Sequence, residues 1–514
     1  MVFCFVFLSV PCVFAEIHAT QTFSGVYYHV DGDKSRSFYP GNEADHLYEG
    51  SVEFSRDAIK DYKLSGNLEY QVTDDRLVDA EGASIERMYL GLQGNGKEYR
   101  LGDFYANFSD YSLSNALKGG QFILGDDKSA RLTVVGGEDV GKWEDLWESR
   151  CENSPGIRHV WGARFEDKFL EEKLFLSVNY GGVNDDKARL SSSALPVYVN
   201  VFSLESKYVF TDYLTAYTEL AQSFTDSNTR DNQAKIRGDK AVKCGMDLNF
   251  QDYTLSSVYS RVGNYFNTTG GFSSQDLQSL SFDGVWYLPW SMKLQHYLRS
   301  DSDNLSKNMA ATTRQLNPGG KLVLSLPKDI SWDFGADMRK RFSTDKTTNE
   351  KTWTYTSNIS RDFQILYATF GYTKTVVINR VSFSQERASD MYSFGFDGSF
   401  PVKGVKFNWN IGQDLTRDHY RETAKADLLT ATNFGLIVKF PSTLRISGKL
   451  TLGKNNYSYN PSDSYTNNCQ VSISRDLIKD FLFDCSYERK AYRYYGNSSN
   501  YTENLVRGKL SYKF

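Results

Sequence analysis

Apolar and polar residues alternate along most of this 514-residue chain. In Ile330–Arg339 the apolar residues Ile, Trp, Phe, Ala and Met fall on every second position, and polar residues or glycine occupy the positions between them. Val405–Ile411 repeats the pattern. Because successive side chains of a strand point to opposite faces, such segments predict strands with one apolar and one polar face. The alternation continues for too long to fit a single sandwich and predicts an all-β fold.

Apolar runs after residue 15 are short. Leu174–Leu176 and Gly435–Val438 are typical of the longest, whereas a membrane helix needs roughly 20 apolar residues. A closed β-barrel is the other structure that satisfies its backbone polar groups in lipid. Aromatic residues make up 15% of the chain, which suits many half-buried strands. Any insertion of this chain into a membrane is therefore expected to use a barrel.

Connections between the predicted strands alternate between short turns and longer polar loops. The short turns include Asn95–Lys97, which contains the tight hairpin signal Asn-Gly, and Pro289–Trp290. The long loops include Asp31–Ala44 and Asn184–Leu195. Bacterial outer-membrane barrels have short periplasmic turns, longer extracellular loops and an even strand number. Counting the turns predicts one antiparallel transmembrane barrel of about 26 strands, within a range of about 22 to 26, with both termini on the short-turn side.

The last strand carries the first family resemblance. Its apolar positions, Val506, Leu510, Tyr512 and Phe514, alternate with polar ones, and this pattern resembles the C-terminal strand that the outer-membrane assembly machinery recognises in bacterial barrels. Over Glu16–Phe514 the chain resembles large porin-like outer-membrane proteins. The resemblance implies the outer membrane of a Gram-negative bacterium, with outer-membrane lipid, lipopolysaccharide and the assembly machinery as partners. The strand number alone supports a weaker resemblance to the barrel of porin–cytochrome complexes.

Residues 1–15 read MVFCFVFLSVPCVFA, and polar sequence begins at Glu16. A short apolar run that ends in a small residue predicts a secretory signal peptide cleaved after Ala15. Residues 16–514 are then the barrel domain. In that domain the terminal strand is expected to pair with the first strand near Thr20–His29 and to close the sheet.

The longest loop, Glu138–Ile157, is the first candidate functional segment. Trp143 and Trp147 are four residues apart, so a short helix would place both on one side. The loop is interpreted either as a constriction or docking loop that folds into the lumen or meets a partner, or as a solvated external loop with a small tryptophan cluster. The candidate residues are Glu138, Asp139, Trp143, Glu144, Asp145, Trp147 and Glu148.

Charged residues of both signs fall on the predicted lumen face. Rings of charge set ion preference in pores, although a wide lumen must be polar in any case. The candidates are Lys293, Arg299, Asp333, Asp337, Arg339, Arg341, Arg445 and Lys449.

Cysteine and histidine patterns give little sign of further chemistry. Cys469 and Cys485 are symmetric about Leu477, so a hairpin turning there would place them side by side as a possible disulfide, or simply as two small apolar residues facing lipid. None of the six histidines has a partner at metal-ligand spacing, and no Gly-x-Ser-x-Gly is present. The net charge of -4 argues against a nucleic-acid partner. The sequence predicts a protein without a cofactor and without enzymatic activity.

Three functions agree with these patterns. The first is a porin-like channel for passive passage of small polar solutes or ions. The second is a sheath or export scaffold around a periplasmic or extracellular partner protein in the lumen, such as a multihaem cytochrome. The third is a secreted soluble β-protein such as an adhesin. Barrels of about 22 strands are usually plugged, so a 26-stranded channel is expected to need loops or a partner in its lumen.

Overall fold

A computed structural model describes residues 16–39, 43–57, 61–76, 78–79, 81–126, 130–146, 157–231, 235–268, 271, 274–458, 463–494 and 500–513. The predicted signal peptide, residues 1–15, and Phe514 of the predicted assembly strand lie outside the described residues. Within these ranges the regular elements are 26 strands and three short 3₁₀ helices, at Lys34–Arg36, Glu144–Leu146 and Phe383–Gln385. No helix of the described residues is long and apolar enough to cross a membrane.

The first thirteen strands carry the N-terminal half of the sheet. They are β1 (Glu16–Gly32), β2 (Glu43–Asp57), β3 (Lys63–Thr73), β4 (Ala83–Gly94), β5 (Lys97–Asn107), β6 (Ser114–Leu124), β7 (Arg131–Asp139), β8 (Arg158–Phe169), β9 (Leu174–Asp185), β10 (Tyr198–Thr211), β11 (Leu214–Asp226), β12 (Arg237–Asn249) and β13 (Tyr253–Val262).

The remaining thirteen strands follow without a break in the pattern. They are β14 (Leu277–Leu288), β15 (Met292–Asp303), β16 (Thr313–Leu326), β17 (Ile330–Ser343), β18 (Asn349–Asp362), β19 (Leu366–Asn379), β20 (Arg387–Val402), β21 (Val405–Tyr420), β22 (Ala426–Lys439), β23 (Arg445–Asn456), β24 (Ser464–Ile478), β25 (Phe481–Tyr494) and β26 (Tyr501–Lys513).

All 26 strands form one antiparallel sheet in which each strand pairs with its neighbours in the chain. The sheet closes because β26 pairs with β1, from Thr20 opposite Lys513 to Gly32 opposite Tyr501. This confirms the predicted strand number and the predicted closing pair. Closure leaves no free sheet edge, which is the condition for a β-structure in lipid. Short turns and both described ends lie at one end of the barrel, and the longer loops lie at the other.

The two faces of the wall differ in polarity, as the alternation predicted. Phe23, Leu101, Phe202 and Phe334 are large apolar residues with exposed side chains, and we call the face that carries them the outer face. The opposite face, which we call the lumen face, is mostly polar. Its apolar positions are buried where loops fold inward, as at Val199.

The β24–β25 hairpin differs from its sequence prediction. It turns at Lys479 and Asp480, where Asp480 has a positive φ of 65°, rather than at Leu477. This moves the register by four residues, so Cys469 lies opposite Arg489 and Cys485 lies opposite Ile473. Both cysteines are free thiols on the outer face. The possible disulfide between Cys469 and Cys485 is therefore wrong, because four residues of strand, about 13 Å, separate the two side chains.

Candidate functional site

The six-residue loop Phe108–Leu113, between β5 and β6, folds into the barrel, and we call it the inward loop. The backbone N–H of Phe108 donates to the carbonyl of Leu113 at 2.7 Å, which closes the loop at its base. Five of its six residues, all but the exposed Asp110, are then buried against the lumen face of strands β8 to β13. The inward loop therefore narrows the lumen from one side.

Apolar packing fixes both arms of the inward loop. Phe108 and Leu113 pack in a buried cluster with Val160 and Val183 of the wall. Tyr111 packs in a second cluster, where its ring lies 5.6 Å from the ring of Phe266, centroid to centroid, in an edge-to-face arrangement. Aromatic pairs of this geometry contribute roughly 0.5–1.5 kcal/mol beyond the burial of their area. The loop is thus packed like a core rather than suspended in the lumen.

Two wall glycines make room for the inward loop. A Cβ on Gly181 would lie 2.9 Å from the backbone oxygen of Ser112 and 3.3 Å from Leu113 Cβ. A Cβ on Gly162 would lie 2.6 Å from the ring of Phe108. Contacts below 3.0 Å with backbone atoms require the backbone to move. A larger residue at Gly181 is therefore incompatible with the observed position of the loop.

Polar contacts tie the inward loop to wall strands that are distant in the chain. The backbone N–H of Tyr111 donates to Glu219 Oε1 at 3.2 Å, and the hydroxyls of Ser109 and Ser203 are 2.9 Å apart. Asp110 forms an ion pair with Lys243. Burial, together with the nearby negative charges of Glu219 and Asp110, raises the pKa of the Tyr111 hydroxyl well above its usual range, so this tyrosine stays neutral.

A belt of polar wall residues lies beside the inward loop. Asn179 Nδ2 donates to Ser203 Oγ at 3.1 Å and to Glu205 Oε2 at 3.2 Å. Arg164 Nε donates to Glu166 Oε2 at 2.7 Å, and Arg164 also lies 3.5 Å from Glu205. The narrowed side of the lumen is therefore lined by fixed charges of both signs that satisfy one another.

The predicted lumen charges lie outside the part of the wall that the inward loop contacts, in strands β15, β17 and β23. The strand register places all eight on the lumen face. Asp333 pairs with Lys321 at 3.2 Å, and Arg339 pairs with Glu350 at 3.0 Å. The inward loop packs against β8 to β13 and does not cover these strands. The eight residues are Lys293, Arg299, Asp333, Asp337, Arg339, Arg341, Arg445 and Lys449.

The predicted functional loop after β7 takes a different course from the inward loop. Glu138 and Asp139 are the last residues of β7; Glu138 pairs with His159 at 2.7 Å, and Asp139 accepts a hydrogen bond from Asn115 at 2.9 Å. The described part of the loop then lies in the barrel wall rather than across the lumen. Trp143, Glu144 and Asp145 belong to this part, whereas Trp147 and Glu148 lie outside the described residues.

Trp143 and Glu144 fill a gap in the barrel wall between β4 and β5, which we call the seam. These strands pair only from Gly94–Lys97 up to Tyr89–Gly102 and diverge beyond that point. At the divergence Gly102 has a φ of +111°, and a Cβ there would overlap the Met88 oxygen at 2.1 Å. Only glycine fits this position.

Side chains replace the missing strand partners in the seam. Glu144 Oε1 accepts from the Ile85 backbone N–H at 2.7 Å, and Asp103 Oδ2 accepts from the Met88 backbone N–H at 2.6 Å. The Lys118 ammonium forms an ion pair with Asp103 at 2.7 Å and lies over the ring of Trp143, 5.2 Å from its centroid. Buried backbone groups need such partners. The predicted loop therefore completes the wall of the barrel.

A second ion pair connects the loop after β7 to Asp79, in the connection between β3 and β4. Lys142 Nζ lies 3.0 Å from Asp79 Oδ2. Burial alone would raise the pKa of Asp79, but hydrogen bonds from Lys142, the Glu81 backbone and Ser84 lower it to about 2. Because the folded pKa is lowered, this pair contributes its full stabilisation above the ordinary value near 3.8. That contribution is lost as the pH falls towards about 2.

Replacement of Glu144 by alanine should loosen the seam, because the Ile85 N–H loses its partner. A buried donor left without an acceptor costs about 1–3 kcal/mol. We expect faster hydrogen exchange at the Ile85 amide and a lower temperature for heat modification of gel migration. Glu422→Ala, in the exposed loop after β21, is the matched control. Exchange at Ile85 equal in both variants would contradict this role for Glu144.

Sequence reasoning missed the inward loop, although a signal was present. Most long loops of the chain are polar, whereas this short one contains Phe108, Tyr111 and Leu113. Three large apolar residues in a six-residue connection at the long-loop end need a place to be buried. In the described residues no group of three or more histidine, cysteine, aspartate or glutamate side chains could hold a metal ion.

Similarity to known proteins is confined to solved structures. No family model matches the chain, and no curated protein matches it. The P pilus usher PapC translocation pore has 11% identity and a TM-score of 0.31, covering 96% of this chain and 99% of its own. The ferric enterobactin receptor of Pseudomonas aeruginosa has 11% identity and a TM-score of 0.44, and the match covers 97% of this chain and 80% of the receptor. OccAB3 of Acinetobacter baumannii has 10% identity and a TM-score of 0.29, and the match covers 97% of this chain and 100% of OccAB3.

Proposed function

We propose that this chain is a channel in the outer membrane of a Gram-negative bacterium, through which small polar solutes or ions pass passively. An apolar outer face, a polar lumen face and a closed sheet support a membrane barrel. The turn and loop asymmetry supports an orientation with the short turns in the periplasm. The proposal includes no catalytic step and no cofactor.

The inward loop is the observation that carries the channel proposal. A barrel of 26 strands is wider than the 16- to 18-stranded barrels that already leave an aqueous channel. An unrestricted lumen of that size would be a leak. A loop packed against the lumen face, with a core-like apolar anchor and fixed polar contacts, supports a pore of defined size.

Single-channel recording in a planar bilayer tests this function. We expect the purified protein to give stable conductance steps of one size, and added polar solutes above a size limit should be excluded. Recovery from the detergent-soluble outer-membrane fraction, with heat-modifiable gel migration, should accompany the activity. Extraction without detergent would contradict the membrane placement and would favour the secreted soluble β-protein.

A barrel sheath around a partner protein is the second candidate function. The observation that favours it is the polar lumen face of β15 to β23, which the inward loop leaves uncovered and which carries Arg299, Asp337, Arg341 and Lys449 among its charges. A charged, uncovered wall is a surface on which a folded polar partner could rest. The sheath predicts a very large or unstable conductance that closes only when a periplasmic or extracellular protein copurifies.

A further inference from the structure

An unneutralised cluster of cations lies on the outer face near the long-loop end of β17, β18 and β19. Lys340 of β17 lies directly opposite Lys351 of β18 in the strand register. Lys351 in turn lies opposite Ile378, two residues before Arg380. Lys346, in the turn between β17 and β18, is the fourth member. We call these four residues the cation cluster.

The cation cluster surrounds a surface cavity of about 410 Å³. Phe342 and Ile378 supply apolar wall, and Thr348 and Asn349 supply polar wall. The ammonium of Lys351 lies 4.4 Å from the ring centroid of Trp353, and that of Lys340 lies 5.2 Å from the ring centroid of Phe342. These contacts hold the two lysine head groups against the barrel wall.

The arrangement is unfavourable without an anion. Like charges directly opposite on neighbouring strands destabilise a sheet. Two acidic residues at this end of β17 and β18 are engaged elsewhere: Glu350 pairs with Arg339 on the lumen face, and Asp345 accepts hydrogen bonds from Ser343 and Thr347 within its own turn. No ion pair involves a member of the cation cluster in the described part of the chain. By contrast Lys374, lower on the same outer face, pairs with Asp390 at 3.5 Å.

The height of the cluster matches a lipid headgroup region. Lys340 is ten residues beyond Ile330, the first residue of its strand at the short-turn end. At about 3.3 Å per residue and a tilt near 40°, this is about 25 Å along the barrel axis. The apolar band of such barrels is also about 25 Å tall. The four cations therefore lie where the apolar band ends at the loop side.

We propose that the cation cluster binds the phosphate groups of a lipid headgroup in the outer leaflet, with the acyl chains along the apolar outer face below. Arginine and lysine together suit phosphate, since guanidinium donates two parallel hydrogen bonds and ammonium supplies a compact charge. Phe342 and Ile378 would contact the non-phosphate part of the headgroup. This inference rests on the membrane placement proposed above.

Lipid titration with detection by native mass spectrometry tests the site on the full-length protein in detergent. The probe is lipid A bearing two phosphates, and the variant is Lys340→Gln/Lys351→Gln/Arg380→Gln. We expect at least about tenfold weaker binding of lipid A to the variant, because three of the four cations are lost. Lys425→Gln, an exposed lysine in the loop after β21, is the matched control and should bind like the wild type. Equal binding by the triple variant and the wild type would overturn the site.

Two further arms distinguish a bound lipid from a free phosphate compound and from a misfolded variant. Inorganic pyrophosphate should compete only at concentrations far above those of lipid A, and binding as tight as that of lipid A would overturn a lipid source. Heat-modifiable migration of the triple variant shows that its barrel is folded. Its single-channel conductance should equal that of the wild type because the cluster faces away from the lumen, so a failed lipid site and a failed channel proposal give different results.

Discussion

Replacement of Gly181 by valine should raise the single-channel conductance at least twofold. The new side chain would meet the Ser112 backbone oxygen at 2.9 Å and Leu113 Cβ at 3.3 Å, and a backbone atom cannot rotate away. The inward loop must therefore leave the wall, which removes the packing of Tyr111 on Phe266. The barrel should persist, since valine favours strands and the pairing of β9 with β8 and β10 does not use the side chain.

Gly412→Val is the matched control for this prediction. Gly412 also lies on the lumen face of a strand, but a Cβ there would have Phe394 O and Asn433 Cβ as its nearest atoms, at 3.8 and 3.9 Å, which is ordinary contact. Its conductance should match that of the wild type. Tyr111→Ala should also raise the conductance, because it removes the side chain that packs the inward loop on Phe266. Unchanged conductance in both Gly181→Val and Tyr111→Ala would show that the inward loop does not set the pore size.

Removal of Leu510–Phe514 should reduce the amount of protein in the outer membrane at least tenfold. Leu510–Lys513 pair with Thr20–Phe23 of β1 on one side and with β25 on the other. Without them, backbone groups of β1 and β25 have no partners at the short-turn end. Each such group costs several kcal/mol in lipid, and the barrel cannot close there. Immunodetection in the outer-membrane fraction, with gel migration before and after heating, measures the effect.

A double variant, Ser511→Ala/Lys513→Ala, is the control for the truncation. It removes two side chains, including the Ser511 hydroxyl that lies 3.0 Å from Thr22 Oγ1, but keeps every backbone pair. Normal amounts in the outer membrane are expected. Deletion of Phe514 alone should also impair assembly, an expectation that rests on the resemblance of the last strand to the assembly signal. Normal membrane levels of the five-residue truncation would contradict the closing role of β26.

Strand number and strand order were readable from the sequence because both depend on local features. The period of two identifies each strand, and turn residues such as Asn95 and Gly96, with φ of 50° and 67°, identify the hairpins. The assignment of Lys293, Arg339 and Lys449 to one face followed from the same alternation. The alternation does not fix cross-strand register, and a turn displaced from Leu477 to Lys479 was enough to separate Cys469 from Cys485.

By itself the sequence determined a closed antiparallel barrel with an apolar outer face, because each strand carries its own alternation and its own turns. Only the tertiary structure decided what occupies the wall and the lumen. The inward loop contacts residues about a hundred positions away, as Ser109 does with Ser203, and Glu144 completes a seam beside Ile85. The cation cluster likewise needs three neighbouring strands in register. These contacts depend on how distant strands are placed around the barrel, and no local period in the chain encodes that placement.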